Sequence, residues 1–176
     1  MSERGWDGRL RTSSAQALYL HVPFCARKCA YCDFASWDTR AQDPLMAAYA
    51  HALSVQIDEA EGLGLLQDAD TAYVGGGTPS LLGEGLAPLV SRVAALGVSE
   101  LTCEANPDSL TDSLLEGLAR AGATRLSVGV QSLEDAELAE LGLLLFILFQ
   151  LQVKTRLLFP HVERIVAGIK FRLPIV

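Results

Sequence analysis

The chain is 176 residues long, half of them hydrophobic, and carries a net charge of −7. That length supports one domain with a sizeable core, and the acidic balance excludes nonspecific nucleic-acid binding, which needs a basic footprint. No apolar run reaches the roughly 20 residues of a membrane-spanning helix, so no transmembrane segment is expected.

Residues 1–16 form a polar lead-in in which Arg4, Arg9 and Arg11 mix with Glu3 and Asp7, without the apolar stretch of a signal peptide. Ala17-Leu-Tyr-Leu-His-Val22 then predicts a short strand, ended by Pro23. A cysteine-rich loop follows. A helix is expected from Asp43 to Glu61, with Pro44 at its first position. Leu45, Tyr49, Leu53 and Ile57 recur every four residues and predict its buried stripe.

The second strand, Thr71-Ala-Tyr-Val74, breaks into Gly75-Gly-Gly77-Thr-Pro79. A helix over 84–96 would end at Gly97. Glu100–Glu104 reads as a third strand, stopped by Asn106-Pro107, and Thr111–Ala121 as a helix with Gly122 as its C-terminal cap. Arg125–Val130 is the fourth strand, and Ser132 with Asp135 suggests another helix start. Strands alternating with helices predict βα units and a parallel sheet. The cysteines, the glycines, Glu104 and Gln131 all fall at C-terminal strand ends, the edge where βα loops build active sites.

Composition changes after residue 142. Residues 1–142 hold nine basic and twenty acidic side chains, whereas 143–176 hold five basic and one acidic. The latter segment opens on the apolar run Leu143–Phe149. The chain therefore divides into 1–16, a domain over 17–142, and a divergent apolar and basic tail over 143–176.

Cys25-Ala-Arg-Lys-Cys29-Ala-Tyr-Cys32 places three thiols within eight residues. Sparse cysteines without a signal peptide argue against a disulfide framework and for a reducing cytoplasm. A closed zinc site or a fully protein-held iron–sulfur cluster wants four ligands. Three leave one metal position open. A zinc-binding module completed by His21 or His51 is the competing, non-enzymatic arrangement. Cys103 alternates with Glu104 and is expected in the core rather than as a fourth ligand.

The segments Tyr19–Cys25, Cys29–Phe34, Gly75–Ser80, Glu104–Pro107 and Ser127–Ser132 occur in an order that resembles the radical S-adenosylmethionine (SAM) superfamily. Within it, the pattern resembles the branch of heme chaperones (HemW-type) and oxygen-independent coproporphyrinogen III oxidases (HemN-type). The resemblance implies an α/β fold, the N-terminal portion of a partial (β/α) radical SAM barrel with parallel strands. It implies that Cys25, Cys29 and Cys32 hold a [4Fe–4S] cluster whose open iron binds SAM, reductively cleaved to a 5′-deoxyadenosyl radical. Tyr19, Tyr31, Gly76, Gly77, Thr78, Glu104 and Gln131 are its implied SAM contacts.

Two departures bear on activity. Oxidases of this branch carry a fourth cysteine two residues after the third, where this chain has Phe34, and they carry more residues before the first cysteine. Both features resemble the chaperone type, which binds heme and delivers it to client proteins. The alternative is oxidative decarboxylation of coproporphyrinogen III to protoporphyrinogen IX in heme biosynthesis, an oxidoreductase activity. Either implies heme or a porphyrinogen as partner, together with an electron donor. Family members also continue after Leu141-Gly142 with Arg-x-His, whereas here Leu143 stands at the arginine position. A truncation or frameshift near 143 is the expectation, leaving half a barrel with an unpaired sheet edge; the alternative is a genuine variant whose tail forms a partner-binding or membrane-surface element.

Overall fold

The alternation of strand-forming runs and helical stripes becomes a layered α/β structure in a computed structural model describing residues 17–29, 32–40, 42–131, 161–166 and 169–172. The strands are β1 (Ala17–Val22), β2 (Phe24–Cys25), β3 (Trp37–Asp38), β4 (Thr71–Gly76), β5 (Glu100–Ala105), β6 (Arg125–Gln131), β7 (His161–Val166) and β8 (Ile169–Arg172). The helices are α1 (Pro44–Gly62), α2 (Leu86–Ala94) and α3 (Asp112–Arg120). The main sheet runs β1-β4-β5-β6-β7-β8, parallel from β1 through β7 and antiparallel at β8. β2 and β3 form a small parallel ribbon of their own.

Each crossover from β1 to β6 advances to the adjacent strand. With right-handed connections, that progression stacks the helices on one face, as in a barrel wall. The period of two along each strand then separates two chemistries. Leu20, Val22, Ala72, Val74, Leu101, Cys103, Leu126 and Val128 are buried and pack in one cluster with Leu86, Leu89, Val90 and Val93 of α2 and Leu114, Leu115 and Leu118 of α3. The alternate positions bring Tyr19, His21, Tyr73, Glu104 and Ser127 to the opposite, inner face.

Local signals explain the element ends. Asp43 caps α1 by accepting the Leu45 amide at 2.9 Å, with Pro44 at the first helical position as expected. Thr111 caps α3 through the Leu114 amide, and Gly122 follows at φ 98°. The α1 stripe is met in part. Ile57 is buried and Tyr49 and Leu53 pack half-buried against the core, but Leu45 is 60% exposed and Met46 and Ala50 are buried in addition. Steps of four overshoot the 3.6-residue turn by about 40° each, so a strict four-residue repeat drifts off the core-facing side.

The helix expected over 84–96 is also shorter. A 3-10 segment, Pro79–Gly85, precedes α2, and Gly83 at φ 55° and ψ −126° interrupts helical geometry within that segment. The sheet also extends beyond β6: β7 pairs in parallel with β6 and β8 antiparallel with β7, so its open edge falls at β8 among the described residues. Ser132, Asp135 and the run Leu143–Phe149 lie outside the described residues.

The α1 correction is testable by urea unfolding. Ile57→Ala should destabilise the fold by about 2–5 kcal/mol, whereas Leu45→Ala should stay within about 0.5 kcal/mol of the unsubstituted chain.

Candidate functional site

The first cysteine is held by backbone on both sides. Beyond the last paired residues of β1 and β4, Gly77 donates its amide to the Val22 carbonyl at 2.8 Å and Thr78 donates to Phe24 at 2.6 Å. On the other flank, Trp37 donates to the Pro23 carbonyl and Thr39 to the Cys25 carbonyl, each at 2.8 Å. Cys25 is therefore buried at the C-terminal sheet edge. The Thr78 hydroxyl donates to its sulfur at 4.0 Å, and Thr78 Oγ1 in turn accepts from Asn106 Nδ2 at 3.2 Å. The Asn106 amide donates to Ser80 Oγ, which bonds the Ser109 hydroxyl. A polar network thus runs beneath the cysteine from β4 to β5.

Cys29 and Cys32 are half-buried, and the Cys32 amide donates to the Cys29 carbonyl at 3.1 Å. Among the described residues, no three His, Cys, Asp or Glu side chains are gathered tightly enough for a single metal ion. None of the four cysteines forms a disulfide. This donor set suits a cluster better than one ion, because each cluster thiolate binds a different iron, and soft sulfur ligands are what such irons take. Cys103 sits in the core as expected, and burial pushes its thiol up to about 12.

The glycine run is demanded by the fold itself. Gly76 has φ 123°, and a Cβ there would lie 2.7 Å from His21 Nδ1 and 2.8 Å from the Val22 carbonyl oxygen. A Cβ on Gly77 would meet the Phe24 carbonyl oxygen at 2.5 Å and Cys25 Sγ at 2.9 Å. The absent side chains let β4 close against the cysteine-bearing segment. Thr78, next in sequence, is buried against that same segment.

Glu104 is the anchor of the inner face. Its Oε1 accepts from the Tyr73 hydroxyl at 2.6 Å, and its Oε2 accepts from the Gly76 amide at 3.2 Å. Burial, then the hydrogen bond to Glu104 and its charge, hold the Tyr73 hydroxyl well above the usual phenol range. Tyr19 stacks on Tyr73 with ring centroids 6.1 Å apart, yet is 56% exposed, so its ring presents an open surface. Partial burial and the Glu104 charge raise its hydroxyl too. Tyr19 also reaches His21 Nδ1 at 3.4 Å, while His21 Nε2 lies 2.8 Å from the Ala35 carbonyl. A carbonyl only accepts, which places the proton on Nε2 and fixes the ring beside Gly76.

Of the expected contacts, Tyr19, Gly76, Gly77, Thr78 and Glu104 are thus assembled with Cys25 along one sheet edge. Gln131 ends β6, where its backbone is in register with Val166 just past a β-bulge. Tyr31 lies outside the described residues. Sequence reasoning missed Tyr73 and the supporting role of Asn106. The first was open to detection: Tyr73 is in register with Thr102, two residues before Glu104, and so shares its face.

These features agree with what the chain resembles. A family model described as the radical SAM superfamily matches residues 19–157. The chain belongs to the radical SAM superfamily. Among curated members, it is 36% identical over 131 residues to the heme chaperone HemW of Escherichia coli, covering 72% of this chain and 34% of that protein. It is 40% identical over 131 residues to HemW of Mycobacterium tuberculosis, covering 70% and 33%. It is 37% identical over 135 residues to a mitochondrial radical SAM domain-containing protein 1 of Bos taurus, covering 74% and 30%. The chain therefore spans about a third of the length of these relatives. The solved structure of coproporphyrinogen III oxidase (HemN) from Escherichia coli aligns with a TM-score of 0.74 over 87% of this chain and 37% of that one. At 23% identity this likeness establishes the fold, a partial radical SAM barrel. Radical SAM membership implies an iron–sulfur cluster and SAM as the cofactors. No helix among the described residues is long and apolar enough to cross a membrane.

Two measurements check this site. Gly76→Ala should cost about 2 kcal/mol or more, from strain and the His21 contact. Gly85→Ala, with nothing within 4 Å of the new Cβ, should be near neutral in the same thermal unfolding assay. At pH 8 in the native state, mass spectrometry after brief alkylation should find Cys29 and Cys32 labelled and Cys103 protected. Its thiol, at about 12, carries almost no thiolate there.

Proposed function

We propose that Cys25, Cys29 and Cys32 hold a [4Fe–4S] cluster, and that SAM binds beside it against Tyr19, Tyr31, Gly76, Gly77, Thr78, Glu104 and Gln131. Bound there, the cluster would supply a single electron to SAM. The chain's own residues have simpler tasks. The backbone around Cys25 fixes one thiolate while the 26–32 loop brings the other two. Tyr19 offers a ring face for packing, and Glu104 offers carboxylate lone pairs to donor groups. Residues 17–142 form the N-terminal part of the radical SAM core, with 143–176 distinct in composition although its β7 and β8 extend the same sheet.

For activity, the chaperone reading is the better supported: binding heme and handing it to a client protein in the cytoplasm, with an electron donor serving the cluster. The observation that carries it is Phe34, an exposed phenylalanine where the oxidase pattern has a fourth cysteine. The 36–40% identity to proteins named as heme chaperones supports the same choice.

Anaerobic reconstitution with iron and sulfide should give a brown protein with broad absorbance near ~400 nm. Cys29→Ala should abolish that absorbance and Cys103→Ala should keep it. Stoichiometric zinc without a cluster would sink the reading. Heme titration beside a coproporphyrinogen turnover assay then separates the two activities. Saturable heme binding without decarboxylation is expected, and turnover without heme binding reverses the assignment.

A further inference from the structure

The Glu104 carboxylate reaches the inner face from β5, but what aims it comes from β4. Gly76 supplies an amide to one oxygen and Tyr73 a hydroxyl to the other. A carboxylate offers about four lone-pair positions, so the two protein bonds leave others able to accept from a ligand. The Tyr73 bond is the shorter of the two, at 2.6 Å against 3.2 Å. Gly75 is what permits it: a Cβ there would lie 2.7 Å from the Tyr73 ring and 2.8 Å from Glu104 Oε2. The ring itself is braced by the stacked Tyr19 on one side.

We propose that Tyr73 is a positioning residue for SAM binding: its hydroxyl locks the Glu104 carboxylate in the orientation that accepts SAM's donor groups. This rests on the reading above that Glu104 contacts SAM. Tyr73 does not itself need to touch the ligand. The alternative, that Tyr73 merely fills space on the inner face, makes a different forecast. A space-filling ring works as well without its hydroxyl, and its loss acts independently of Glu104.

The test uses the full 176-residue chain, reconstituted with its cluster, and measures SAM affinity by equilibrium dialysis with labelled SAM. Tyr73→Phe keeps the ring and removes the donor, and should weaken SAM about tenfold, the scale of a lost hydrogen bond to a charged group. Glu104→Gln should weaken it at least as much. The double substitution should be within about threefold of Glu104→Gln alone, because both changes break the same unit. Glu104→Asp leaves Tyr73 in place but withdraws the carboxylate by one methylene; it should show a loss similar to that of Tyr73→Phe, and it covers the case in which Tyr73→Phe unfolds. Affinity unchanged in Tyr73→Phe, or losses that multiply to about a hundredfold in the double variant, overturns the proposal while Glu104 stays a SAM contact. Unchanged affinity in Glu104→Gln overturns the proposal together with the Glu104 assignment. An unsubstituted, cluster-loaded chain that binds no SAM removes the reading on which both rest.

Discussion

The site depends on how closely β4 can approach the segment that follows β1. Two amides, from Gly77 and Thr78, extend the β1–β4 pairing past the sheet and into the residues around Cys25. That approach is possible only because positions 76 and 77 lack a Cβ. Any side chain at 76 or 77 would occupy space taken by His21, the Val22 and Phe24 carbonyls, or the cysteine sulfur. The glycine run is therefore a packing solution before it is a ligand-binding one. It lets a backbone seam, rather than a flexible side chain, determine where the first cysteine stands.

From that seam the rest of the arrangement propagates through hydrogen bonds that cross between strands. Thr78 leans on Cys25 and is held by Asn106, which is tied to Ser80. Hydrogen bonds of this kind to cluster sulfurs are among the influences that set reduction potential in iron–sulfur proteins. Gly76 meanwhile turns its amide toward Glu104 on the inner face. One tight turn thus serves the cysteine on one side and the carboxylate on the other.

Much of this was legible in the sequence, because its strongest signals are local. Pro44, Thr111, Gly97 and Gly122 act within a turn of where they stand, so the beginnings and ends of elements followed. The cysteine spacing and the placement of polar residues at strand ends likewise need only the chain order. What escaped were features set by geometry between elements. The four-residue repeat in α1 indicated Leu45 as core, but helical pitch rotates it outward. The break at Gly83 depends on a backbone conformation that a single glycine permits but does not announce. Tyr73 looked like an ordinary strand aromatic until strand register put it opposite Thr102, on the same face as Glu104. The β6–β7 pairing joins segments on opposite sides of the compositional break at 143, and a pairing across such a break has no local signal in chain order.

The sheet's two faces also have unequal responsibilities. Apolar burial, and with it most of the free energy of folding, lies with the residues that face α2 and α3. The inner face carries tyrosines, a histidine, a carboxylate and a serine, groups that tolerate water. Cohesion and chemistry are therefore encoded at alternate positions of the same strands. Substitutions that retune what the inner face recognises need not trespass on the layer that keeps the chain folded. A scaffold divided in this way can change ligands over evolutionary time without first being rebuilt.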